Sequence, residues 1–91
     1  MYSEKNPVAK FRNATLGFIN TELETAETFA DLALQSDDVE KISRTRAHAR
    51  KGYEEARRFL AAISLTPDEE KTIASKMRTV ESKLLELGET L

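Results

Sequence analysis

The sequence predicts an all-α fold, an antiparallel three-helix bundle running up-down-up, and three features carry that expectation. Apolar residues recur three and four positions apart over most of the chain. Two capping signals and a late glycine divide that pattern into three long segments. No stretch alternates apolar and polar residues with period two, so no strand is expected. With 91 residues and no cysteine, the chain has material for a single domain, without disulfide staples or thiolate metal sites.

The first helix is expected over residues 7–34, preceded by a six-residue extension. Asn6 suits an N-cap and Pro7 the first helical position, where its missing N–H would have had no partner anyway. Leu16, Ile19, Leu23, Ala26, Ala30 and Ala33 form one seam, and Phe11, Phe18, Phe29 and Leu32 a second stripe beside it. Together they span about half the circumference at roughly 100° per residue, enough for two neighbours. Gly17 falls on the polar side.

The second helix, residues 38–63, is the organising element. Val39, Ile42, Arg46, Ala49, Tyr53, Ala56, Leu60 and Ile63 hold the helical spacing without a slip. Asp37 with Glu40 has the form of a capping box, with aspartate in place of serine or threonine. Arg46, the polar member of the seam, is expected to snorkel towards Glu27. Ala47, Ala49, Gly52 and Ala56 would let a neighbouring backbone come close. Ala26-x-x-Phe29 and Ala56-x-x-Phe59 read as small-and-large packing pairs and do not extend into a repeat.

Thr66-Pro67-Asp68-Glu69 combines an N-cap, an N1 proline and an N3 glutamate, so a third helix is expected over 67–87. Ile73, Met77, Val80, Leu84 and Leu87 form its seam. Gly88 stops it, leaving residues 88–91 as a tail. Short links force antiparallel neighbours. Six acids and no base lie between Glu22 and Asp38, and seven bases with two acids between Lys41 and Arg58. The first hairpin should therefore pair Glu22 with Arg50, Glu27 with Arg46 and Asp31 with Lys41, selecting register more than adding stability. Because the third helix is the shortest, Phe29, Leu32, Val39 and Ile42 near the first turn should be thinly covered, by residues 89–91 or by a second chain.

A formal charge of −2 gives no general field for nucleic acid. Arg44, Arg50, Lys51, Arg57 and Arg58 lack interleaved exposed aromatics and read as a solvated face. The polar N-terminal residues show no secretion signal, and no apolar run approaches membrane length, so a cytoplasmic protein without membrane insertion is expected. One histidine, no cysteine and scattered glycines give no metal site, no phosphate loop, no cofactor and no small-molecule substrate. Asp37-Asp38 and Asp68-Glu69-Glu70 sit at helix starts, where carboxylates favour the positive dipole end.

Ala47-His48-Ala49-Arg50-Lys51-Gly52 resembles the Ala-His-x-x-Lys-Gly motif of histidine-containing phosphotransfer domains, over these six residues only. The resemblance implies His48 as phosphoacceptor, Lys51 as a cation for the phosphoryl oxygens and Gly52 clearing space above the ring. The reading of the residues themselves is different. It is a non-catalytic helical interaction or scaffold module that self-associates, as a homodimer, or binds a partner helix. Its surface would be Phe11, Phe18, Phe29, Leu32, Val39 and Ile42.

Overall fold

The computed structural model describes residues 7–91, so the proposed Asn6 cap lies outside the described residues. Three helices follow in order: α1 Pro7–Gln35, α2 Val39–Leu60 and α3 Pro67–Glu86. Their contacts establish the expected up-down-up bundle. Phe18 meets Phe59 and Phe29 meets His48, so α2 runs back along α1. Arg12 pairs with Glu69, Glu24 with Lys76, and Glu27 and Asp31 with Lys83, so α3 runs parallel to α1.

The helix ends follow from local chemistry. Asp38, one residue later than expected, is the N-cap of α2: its Oδ1 accepts from the N–H groups of Glu40 at 3.0 Å and Lys41 at 3.3 Å. Ser36 Oγ in turn accepts from the N–H of Asp38, which turns Asp38 instead of Asp37 into the cap. The Thr66 capping box forms as predicted, with Glu69 N–H donating to Thr66 Oγ1 and Thr66 N–H donating to Glu69 Oε1. Gly88, at φ +91°, adopts the left-handed conformation that ends α3. Its N–H donates to the Leu85 carbonyl and that of Glu89 to the Leu84 carbonyl, the Schellman pattern.

α2 stops at Leu60, three residues short of the predicted Ile63. The N–H of Ala62 reaches back only to the Phe59 carbonyl, so the last turn tightens before the chain swings towards Thr66. Ile63 and Leu65 still pack on the core from this link.

The core is Ile19, Leu23, Ala26 and Ala30 of α1, Ala49, Tyr53 and Ala56 of α2, and Ile73, Val80 and Leu84 of α3. The α1 seam is as predicted except that Thr15 is buried while Leu16 is half-buried. On α2, Thr45 takes the place expected of Ile42 and Val39; its hydroxyl donates to the Lys41 carbonyl at 2.7 Å, which satisfies it within the helix. Tyr53 keeps its phenol in use by donating to Glu81 Oε2 at 2.6 Å. Gly52 is buried where α1 and α2 come closest. A Cβ there would stand 3.2 Å from both Ala26 Cβ and the Glu22 carbonyl oxygen.

The predicted hairpin ion pairs are replaced by others. The α1 acids face α3: Lys83 Nζ donates to Glu27 at 2.8 Å and lies 2.7 Å from Asp31, and Lys76 Nζ donates to Glu24 and Asn20. Arg46 and Arg50 turn the other way, to Glu89 beyond α3. The reason is the close α1–α2 seam: alanine and glycine fill it, and long charged chains are pushed to its two flanks.

Gly52→Leu should lower the urea midpoint by the equivalent of about 1–3 kcal/mol, because overpacking here meets backbone as well as a side chain. Gly17→Ala meets nothing within 4 Å and should raise stability by about 0.5–1 kcal/mol.

Candidate functional site

Turning helices at roughly 100° per residue puts Phe11, Phe18, Phe29 and Leu32 on one line of α1. That line borders α2 on the side away from α3, since Asn20, Glu24, Glu27 and Asp31 mark the α3 side. Phe18 stacks edge-to-face on Phe59, with centroids 4.9 Å apart and planes at 70°. Phe29 lies beside the His48 ring at the same centroid distance, tilted by 31°. These partners leave much of the stripe in solvent: Phe11 is 57% exposed, Phe18 41% and Leu32 38%. Phe59 belongs to this face and was missed as a site residue, although its spacing from Ala56 was visible.

The six predicted surface residues do not form one patch. Val39, 80% exposed, and half-buried Ile42 line a separate groove on the outer face of α2. The tail does not cover the first turn either. Arg50 Nη1 donates to the Thr90 carbonyl at 2.7 Å, so the chain after Gly88 turns back along α2 towards its middle.

His48 and Lys51 are both exposed. Gly52 does not clear space above His48, because its open side is filled by Ala26 and the Glu22 carbonyl of α1. Helix packing accounts for that glycine. The imidazole instead rests on Phe29, which makes His48 the polar edge of the aromatic stripe.

Two of the helix-start carboxylates, Asp38 and Glu69, are engaged. Glu69 is held below the ordinary carboxylate range by its hydrogen bond from the Thr66 backbone and by the Arg12 guanidinium. A hollow of about 200 Å³ lies beside it, lined by Leu16, Asn20, Asp68 and Thr72. Burial, then the Glu81 carboxylate, pushes the Tyr53 phenol up, away from a role as base. No group of His, Asp or Glu among the described residues could hold a metal ion, and no described helix is long and apolar enough to cross a membrane.

A charged cluster at the end of α3 was also missed: Arg46 pairs with Glu89 Oε2, and Arg50 Nη1 donates to Glu89 Oε1 at 2.9 Å. The basic residues were visible in sequence, but their carboxylate partner depends on how the chain turns after Gly88. Comparison with family models, curated proteins and solved structures returns no match.

Two titrations frame the stability. The Arg46 hydrogen bond, with Arg50 beside it, lowers the Glu89 carboxyl, so its contribution is present above the unfolded carboxyl value and disappears as pH falls through the folded one. Asp31, then Glu27, raises the Lys83 ammonium, and its contribution is present below the unfolded lysine value and disappears as pH rises through the folded one. Thermal midpoints should therefore fall at both extremes. Glu89→Gln should make the acid limb shallower, leaving the share of Glu69, and leave the alkaline limb in place.

Proposed function

We propose that this chain is a non-catalytic interaction module that associates through the outer α1–α2 face, with a second copy or with a partner helix. The observation carrying this reading is the α1 line of Phe11, Phe18 and Leu32, exposed while the core behind it is complete. Much of this line stays in solvent in spite of its contacts with α2, and a contiguous exposed apolar surface of this kind marks association sites. The aromatic stripe borders α2 on the flank opposite the one that α3 covers, where a further helix could lie against both α1 and α2. The aromatic rings supply anchors of the type that dominate interface energetics.

Sedimentation velocity at micromolar concentration tests the self-associating form. The wild type should sediment as about twice the 10.3 kDa chain, and Leu32→Ser, which alters a side chain outside the core, should return it to the monomer. A wild type that stays monomeric and is indifferent to Leu32→Ser or Phe18→Ser would exclude self-association.

The exposed His48 and Lys51 provide the chemical test of a competing role. A nucleophilic imidazole would take the phosphoryl group of acetyl phosphate or of a phosphorylated receiver domain. No such label is expected. An acid-labile label that disappears in His48→Gln would replace the interaction reading with phosphotransfer.

A further inference from the structure

The outer face of α2, turned away from α1, carries an open groove of about 990 Å³. Val39, Ile42 and Ala47 supply apolar surface, and Arg46, Arg50 and Lys51 supply charge. The size is at the upper end of the range for ligand sites, enough for several side chains. One end is already occupied from within. Glu89, on the residue after the left-handed Gly88, sets one carboxylate oxygen against Arg46 and the other 2.9 Å from Arg50 Nη1. The same Nη1 donates to the Thr90 carbonyl, so the arginines hold a carboxylate and an adjoining backbone oxygen together. Capacity remains. Arg50 Nε is shut off from solvent, stands 3.4 Å from Glu54 Oε1 without a hydrogen bond, and is the one buried side-chain polar atom lacking such a bond among the described residues.

We propose that this groove docks an acidic peptide segment of another protein, whose carboxylate displaces Glu89 from Arg46 and Arg50 while a neighbouring apolar side chain packs on Val39 and Ile42. Glu89 is then a tethered stand-in that shows the mode of binding and sets a threshold for it. The lining favours a peptide over nucleic acid. Glu54 and Glu55 stand among the cations and pair with Arg50 and Arg58, so the charge left over suits the one carboxylate that Arg46 and Arg50 already hold, with an apolar neighbour, and not the run of charges of a phosphate backbone. This site is on a different flank from the α1–α2 face, so either can fail without the other.

A tethered competitor acts at an effective concentration in the millimolar range, so releasing it should strengthen a weak peptide by roughly tenfold or more. The probe is the peptide Leu-Glu-Leu-Gly-Glu-Thr-Leu, the sequence of residues 85–91, amidated at its C-terminus, labelled with a dye that bears no carboxylate, and titrated into the full chain by fluorescence anisotropy. Glu89→Gln, which preserves the shape of the tail, should bind it at least about tenfold more tightly than wild type. Adding Arg50→Ala should abolish the gain, and a probe with both glutamates replaced by glutamine should not bind. Equal affinity for wild type and Glu89→Gln, or equal binding of the glutamine probe, overturns the proposal. Tighter binding of a labelled single-stranded oligonucleotide than of the peptide overturns it in favour of a phosphate-binding surface. Circular dichroism verifies the fold of the variants. If Glu89→Gln loses helicity, the wild type answers instead: saturating peptide should shift the Arg50 Nε–H resonance, and an unmoved resonance overturns the proposal.

Discussion

The close approach of α1 and α2 at Gly52 sets the rest of the structure. Ala26, Ala30, Ala49 and Ala56 are completely buried along this seam, and a missing Cβ at position 52 keeps the helices together at its centre. Small residues gain little from burial individually, on the order of 25 cal/mol per Å². Their value is geometric: two backbones this near leave no room between them for large side chains. The bulky aliphatics accordingly gather on the α3 side, where Ile19, Leu23, Val80 and Leu84 are the largest fully buried groups. The aromatic side chains of α1 gather on the other side.

That partition explains why the molecule has an unequal pair of flanks. α3 closes one with a conventional aliphatic core and a row of ion pairs. The opposite flank holds Phe18 on Phe59 and Phe29 on His48, each ring covered on one side and open on the other. The charged side chains obey the same exclusion. Arginines of α2 cannot cross the narrow seam to the acids of α1, so they reach around to Glu89.

Helical spacing and capping chemistry made the architecture legible. The α1 seam, the Thr66 box and the Gly88 stop are local signals, each decided within a few residues. Asp38 in place of Asp37, and Leu60 in place of Ile63, are differences of the kind that hydrogen bonds from Ser36 and the tightened turn at Ala62 decide. The candidate site was only partly legible. Phe11, Phe18, Phe29 and Leu32 share a face because one helix fixes their spacing, whereas Val39 and Ile42 were joined to them by proximity to the turn and lie on another flank. Gly52 carried two expectations: with Ala49 and Ala56 it would let a neighbouring backbone come close, which holds, while the resemblance had it clear space above His48, which α1 fills instead. The partners of Arg46 and Arg50 were out of reach for the same reason: charge balance along a sequence names candidates, and only the interhelical distance chooses among them.

The ladder between α1 and α3 bears on how the third helix can move. Glu24, Glu27 and Asp31 succeed one another every three or four residues, so the acids form a rail, not isolated posts. Were α3 to slip by one turn, about 5.4 Å, towards the C-terminal end of α1, Lys76 would exchange Glu24 for Glu27 and Lys83 would keep Asp31. The lysines therefore bind α3 to α1 without fixing its axial position. That task falls to the buried side chains of α3, Ile73, Val80 and Leu84, and to the two ends, where Arg12 grips Glu69 and the α2 arginines grip Glu89. Freeing either anchor would loosen one end of α3 while the rail and the core hold the rest in place.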